Sequence, residues 1–247
     1  MTALKGKSAV VTGGSRGIGR AVVERLARDG ARVVFSYASN AAAAEDVERT
    51  VGLAGGEARG VAADFTEQGA AERLMETAMT LLGGLDILVN NAALAFTPTP
   101  FAQLTDEQFD QVMGTNARSP FHTMRYAARH MGDGGRIINI STLNTVRPSP
   151  GIAAYAASKG ALEQLTAVAA MELGARGITV NTVSPGATDT ELLRGTNPAA
   201  ALERLPARTP LRRLGEPADV ADVVAFLAGP DGRWLTAQNV RATGGLA

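Results

Sequence analysis

A chain of 247 residues, 45% hydrophobic and 19% charged, is long enough to bury a large core without covalent staples. Its 24 basic side chains balance 24 acidic ones, which excludes the net field that draws a protein to nucleic acid or an anionic membrane and leaves a small molecule as the expected partner. The absence of cysteine excludes disulfides and thiol chemistry, and with only His122 and His130 no metal site is expected.

The N-terminus passes into a strand-like run without a long apolar segment, so no signal peptide is read. No apolar stretch reaches the ~20 residues of a membrane-spanning helix, and a soluble cytoplasmic protein is the expectation. Short apolar, β-branched runs then alternate with longer helical patterns: "SAVVTG", "RAVVERLARDG", "ARVVFSY", "AAAAEDVERTVGLAGG", "EARGVAAD" and "LDILVNNA". A helical region from about Asp106 to Met131, the run "GRIINIS", a helix from about Gly151 to Ala175 and "GITVNTVSPG" follow. Nearly continuous apolar strands are buried on both faces, the pattern of a parallel sheet covered by helices. The expected architecture is therefore α/β: a doubly wound Rossmann fold of about seven parallel strands with right-handed crossovers, forming one domain over residues 1–247. The least regular stretch, about 188–213, carries Gly195, Pro198, Pro206 and Pro210 and is a candidate lid. Ligands of such sheets bind outside the carboxyl ends of the strands, so the residues that follow each strand are the informative ones.

The first strand ends in "TGGSRGIG", Thr12 to Gly19, and runs directly into a helix. Gly13, Gly17 and Gly19 permit a tight turn, close approach to a pyrophosphate and close helix–strand packing, with helix N–H groups facing the anion. Strand, glycine turn, helix and next strand together read as a dinucleotide site comprising Gly13, Ser15, Arg16, Gly17, Ile18 and Gly19. Tyr155 and Lys159 lie four positions apart in a helical segment and share one face, so an ammonium can sit beside a phenol. A free tyrosine titrates near pH 10, and a neighbouring ammonium together with a bound cationic ring lowers that value. The end of the run "RIINIST" supplies a hydroxyl. Successive strand residues face opposite ways, so Ser141 and Thr142 cannot both face Tyr155 in a regular strand, and the pattern leaves the choice open.

The spacing G-x-x-x-G-x-G after Thr12 and the stretch from Ile140 to Lys159 resemble the classical subfamily of the short-chain dehydrogenase/reductase family. The resemblance extends to "NNAA" at Asn90–Ala93, Asn116 in "GTNARSPF", "VNTVSPG" at Val180–Gly186 and the C-terminal "TGG". It implies hydride transfer between a nicotinamide and a carbonyl or secondary-alcohol carbon, with Tyr155 as proton donor or acceptor and Lys159 also holding the cofactor ribose. It selects Thr142 over Ser141, because the family's catalytic serine precedes the tyrosine by a nearly fixed interval; threonine there is a departure that keeps donor and acceptor but narrows the pocket. Asn116 would bend its helix and hold a water that links the lysine to solvent. Asp64 would contact adenine, Asn90 and Ala92 would line the adenosine ribose and pocket floor, and Pro185, Gly186, Thr188 and Thr190 would meet the nicotinamide end and the pyrophosphate. Ala93 stands where the family usually has glycine. Tyr37 stands where an NAD site places an acid; with Arg16, Ser39 and Asn40 nearby, NADP(H) is favoured over NAD(H).

The resemblance further implies a homotetramer. A 3-oxoacyl-[acyl-carrier-protein] reductase is one alternative: Arg176 matches one carrier-binding arginine, but the other position holds Asp133, of the wrong sign. A catalytically silent NADP-binding regulator is another, opposed by the intact Asn116, Tyr155 and Lys159. A halohydrin dehalogenase would lose the glycine turn and replace the lysine.

Overall fold

A computed structural model describes residues 3–246. The apolar runs form seven strands: β1 (Ser8–Val11), β2 (Arg32–Tyr37), β3 (Glu57–Ala62), β4 (Ile87–Asn90), β5 (Arg136–Ile140), β6 (Thr179–Pro185) and β7 (Asn239–Ala242). All pair in parallel, in the order β3-β2-β1-β4-β5-β6-β7. The order reverses direction between β1 and β4, and a crevice opens at the carboxyl ends of that pair.

Strand alternation sorts the side chains into two cores. Ala9, Val11, Val33, Phe35, Ile87, Val89, Ile138 and Ile140 face α1 (Gly17–Arg28), α2 (Ala41–Leu53) and α10 (Pro217–Ala228). Val10, Val34, Leu88, Ile137 and Val180 face α3 (Ala70–Leu82), α5 (Ser119–His130) and α6 (Ala153–Leu173). Both faces are thereby covered, as uninterrupted apolar strands require. The exceptions are the two edge strands, β3 and β7, whose residues are exposed or half-buried instead of uniformly buried.

The helical region expected over residues 106–131 contains an irregularity. α4 (Asp106–Met113), capped by Thr105 and Gln108, leads into a π-helical turn at Gly114–Arg118 before α5 begins. Pro120 has no N–H to return to the carbonyl of Asn116, so a regular α-helical turn cannot close there. The stretch 188–213 is also more ordered than its prolines suggest. It carries the short helices α7 (Glu191–Thr196), α8 (Ala199–Leu202) and α9 (Leu205–Arg208). Its two ends are tied together: Asp189 N donates to Gly215 O (2.8 Å) and Gly215 N to Ala187 O (2.9 Å).

A buried polar chain crosses the sheet. Asn90 Nδ2 donates to Asn139 Oδ1 (2.8 Å) at paired positions of β4 and β5, and Thr123 Oγ1 donates to Asn90 Oδ1 (2.6 Å). Asn139 Nδ2 donates to Thr166 Oγ1 (2.8 Å), which also accepts from Thr182 Oγ1 (3.1 Å). Removing the central carboxamide strands its partners in a dry interior. Asn139→Ala is expected to lower the unfolding free energy by about 3 kcal/mol in urea denaturation, whereas a change below about 0.5 kcal/mol would mean that the network is not fully dry.

Candidate active site

The carboxyl end of β1 is joined to that of β4 through one hydroxyl. Thr12 Oγ1 accepts from Asn91 N (2.9 Å) and Ala92 N (3.0 Å), and Asn91 Nδ2 donates to the carbonyls of Thr12 and Gly13 (both 3.0 Å). Gly13 and Gly17 adopt left-handed backbone, with φ of +67° and +52°. At Gly19 a Cβ would lie 2.0 Å from Gly13 O, so only glycine lets α1 approach the turn. The residue before α1 gives no side-chain cap, and the first turn has no acid, so the leading N–H groups stay free for an anion. The cradle fits a dinucleotide pyrophosphate.

Other expected cofactor residues are partly committed elsewhere. Arg16, expected as the cation near a 2′-phosphate, is paired with an acid of the chain: its Nη1 lies 2.7 Å from Glu191 Oε2, with both side chains largely exposed. The bridge joins the glycine turn to the start of α7, and Thr190 lies over Gly17 there. Asn90, expected at the ribose, has both ends of its side chain in the internal chain described above, so only its backbone can face a ligand. Asn40 Oδ1 caps α2 by accepting from Ala43 N (3.0 Å), and Asp64 Oδ1 accepts from Thr66 N and Oγ1. The opposite ends of both side chains remain open to a ligand. Tyr37 packs partly against the core, beside Ser39 in the loop after β2. Pro185 closes β6, Gly186 N donates to Ala242 O (2.9 Å), Thr188 is buried, and Thr190 caps α7.

On α6, successive turns meet the end of β5. Tyr155, partly buried, lies near enough to Thr142 for that hydroxyl to act on the phenol's titration, and Lys159 Nζ donates to Ile140 O (2.8 Å). Thr142 Oγ1 also accepts from Asn144 N (3.2 Å). Ser141 turns away from Tyr155 and donates to Glu163 Oε1 (2.6 Å). The chain stays extended past the last rung of β5, so adjacent hydroxyls separate by alternation, and Thr142 is the one that meets the phenol.

The expected lowering of the phenol draws on a bound cationic ring as well as on the ammonium. In the protein alone, burial pushes Tyr155 above its ordinary value, offset in part by Thr142, while the ammonium of Lys159 bonds the Ile140 carbonyl. Lys159, 2% exposed, is lowered to about 8 by the same loss of water. Asn116 joins two elements: its Oδ1 accepts from Leu94 N (2.9 Å), and its Nδ2 donates to Ser158 Oγ (3.2 Å), which donates to Tyr155 O (2.7 Å).

Three residues not singled out in the sequence belong to this site. Phe96 stacks on Tyr155 with ring centroids 4.7 Å apart, beside a cavity of about 180 Å³ lined also by Gln108, Gln111 and Ile152. Its signal was an aromatic residue a few positions past a strand end. Glu163 continues the Tyr155–Lys159 series by four and could have been found by extending it. Glu191 carried no local signal, since its partner lies 175 positions away.

A nucleotide cradle at the switch point of a parallel sheet, beside a tyrosine–lysine helix, defines the class of dinucleotide-dependent oxidoreductases. A family model described as enoyl-(acyl carrier protein) reductase matches residues 13–247. An uncharacterized oxidoreductase of Methylorubrum extorquens is 43% identical over the whole of both chains. A hydroxynaphthalene reductase of Aspergillus fumigatus is 35% identical, covering 95% of this chain and 90% of its own. A short-chain dehydrogenase of Burkholderia cenocepacia, solved with NADP, superposes with a TM-score of 0.92 at 40% identity and 99% coverage of both chains. The chain belongs to the classical short-chain dehydrogenase/reductase family and is an NAD(P)-dependent oxidoreductase. No helix among the described residues is long and apolar enough to cross a membrane.

Two outcomes follow from the geometry. Gly19→Ala should abolish nicotinamide-dinucleotide binding in a fluorescence titration, because the added methyl would lie 2.0 Å from the backbone carbonyl of Gly13, which cannot move aside as a side chain can. The buried Lys159 penalises its own protonated form, a cost present in full below about pH 8 and relieved as pH rises toward 10.5, where the unfolded chain still binds that proton. Stability measured by urea should therefore rise between about pH 8 and 10 in the wild type, and Lys159→Met should flatten that rise.

Proposed function

We propose that the protein is an NADP(H)-dependent carbonyl reductase/alcohol dehydrogenase acting on a neutral ketone and its secondary alcohol. The observation that carries this reading is the placement of Tyr155 at the head of α6, one turn from a buried ammonium fixed to the end of β5. When bound, the nicotinamide supplies or accepts the hydride. Tyr155 gives its proton to the substrate oxygen in reduction and takes it back in oxidation. A phenol is protonated at neutral pH, the state a donor requires, and its burial acts in the same direction. Thr142 donates a hydrogen bond to the same oxygen and polarises the carbonyl. Lys159 holds the ribose and, with Asn116, returns a proton to Tyr155; the absence of an N–H at Pro120 favours this route by freeing the Asn116 carbonyl from a regular helical bond.

Tyr37 in place of an acid, with Arg16 at the turn, favours NADP(H), and the NADP-bound Burkholderia relative supports it. The Arg16–Glu191 bridge is solvent-screened and weak, so a 2′-phosphate can take the place of the carboxylate. The cavity beside Tyr155 and Phe96 is lined without a charged side chain, which favours a neutral ketone, in line with the name of the hydroxynaphthalene reductase relative. An acyl-carrier substrate is disfavoured, because Arg176 is held by Asp133 (2.9 Å) and by the carbonyl of Ala128. The segment 188–213, hinged at its tied ends, serves as the lid. Exposed Phe226 and Trp234 on one side and Val168 and Met171 on another favour a homotetramer that covers them, in the cytoplasm.

NADPH absorbance over a panel of neutral ketones and acyl thioesters tests the reading. Turnover of ketones should exceed that of thioesters; Thr142→Ser should stay active, Thr142→Ala should lose about 100-fold, and Tyr155→Phe should lose at least about 1000-fold. Activity with NADH alone, or Thr142→Ala as active as wild type while Ser141→Ala is dead, would overturn it.

A further inference from the structure

Glu163 lies on α6 one turn beyond Lys159 and two turns, about 12 Å along the axis, beyond Tyr155. One of its carboxylate oxygens accepts two hydrogen bonds, from Ser141 Oγ (2.6 Å) and from Thr145 Oγ1 (2.9 Å). These donors flank Thr142 on either side. Thr145 Oγ1 also lies 3.1 Å from Thr142 O, and Thr145 N lies 3.5 Å from it, so the short turn after β5 closes on the carboxylate. Ser141 is buried, with its Oγ committed to Glu163.

Extended backbone sends neighbouring side chains to opposite sides. Fixing Ser141 on the side of Glu163 therefore fixes Thr142 on the other, where Tyr155 waits. Charge-assisted bonds to a carboxylate are about twice as strong as neutral ones, and two on one oxygen restrain the turn more than a single contact would. The same helix then grips the strand end at two levels, Lys159 on the Ile140 carbonyl and Glu163 on Ser141 and Thr145, with Tyr155 one turn before Lys159 on the side of Thr142.

We propose that Glu163 is a positioning residue, which sets the direction of the Thr142 hydroxyl by holding Ser141 and Thr145 on the opposite side of the chain. It touches neither substrate nor cofactor. The proposal rests on the reading of Thr142 as the carbonyl-polarising group.

A double-mutant cycle with a nuclear magnetic resonance arm tests it. Glu163→Ala should lower kcat/KM for a reduced ketone roughly 10- to 100-fold, with the NADPH dissociation constant unchanged, and Glu163→Gln, which keeps the acceptor, should restore it to within about threefold of wild type. In a Thr142→Ala background Glu163→Ala should cost nothing further, because its effect passes through the missing hydroxyl. Independent losses that multiply in the double variant would overturn the proposal. The second arm needs no substrate: with 13C-labelled tyrosine, the Tyr155 Cζ resonance, assigned through Tyr155→Phe, should move the same way in Glu163→Ala and Thr142→Ala and stay near wild type in Glu163→Gln. An unmoved resonance in Glu163→Ala sinks the proposal even if every enzyme form is active. A wild type inactive on all ketones would instead sink the functional reading and leave the resonance to decide on Glu163. If Glu163→Ala fails to fold, Ser141→Ala removes one of the two bonds and is read in the same way.

Discussion

The constraint on which the molecule depends is the common direction of its strands. A sheet whose strands all run one way, buried on both faces, must return each connection over a face and must end every strand at the same edge. At that edge the ladder stops, and the last N–H and C=O groups have no rung left to complete. Side chains from distant parts of the chain take them up. Thr12 bonds the two amides after β4, and Lys159 bonds the last carbonyl of β5. The crevice thus forms from backbone groups that the sheet cannot satisfy by itself.

The second element of the site is α6, whose 21 residues bring Tyr155, Lys159 and Glu163 to the end of β5 on successive turns. Burying Lys159 is costly, and one carbonyl bond is a modest return. The folded chain bears that cost, and the same loss of water lowers the ammonium to about 8. Burial acts on Tyr155 in the opposite sense and keeps the phenol protonated. The two groups share a cause and shift in opposite directions from it.

Much of this was legible in the sequence, for reasons that differ by residue. Strands and helices were readable because burial on two faces leaves uninterrupted apolar runs. The glycine turn was readable because its φ angles and the Gly13–Gly19 approach admit no other residue. Tyr155 and Lys159 were readable as a helix pair, yet their electrostatics were not: whether an ammonium lowers a phenol depends on which neighbour it bonds, and the Ile140 carbonyl was invisible in the spacing. The choice between Ser141 and Thr142 stayed open for the same reason, since it needs to be known how far the strand remains extended and what waits on each side. The ion pair of Arg16 with Glu191 and the stack of Phe96 on Tyr155 join residues that no periodicity connects. The side chain of Asn90 looked free for a ribose only because its partners Thr123 and Asn139 lie 33 and 49 positions away.

The polar chain through Asn90 and Asn139 has a consequence for assembly. Apolar side chains tolerate a sliding error between strands at modest cost, since one valine replaces another. A carboxamide does not: displaced by one residue, Asn139 would face the apolar layer of Ile138 and Ile140 with its donors and acceptor unmatched. The pair therefore works as a key between β4 and β5, admitting a single alignment of the two ribbons. It is the alignment that brings the end of β4, with Asn91 and Ala92, level with the end of β5, with Ser141 and Thr142. Height along the sheet, and so the depth at which a ligand would meet the hydroxyl of Tyr155, is decided in the interior, well below the crevice that depends on it.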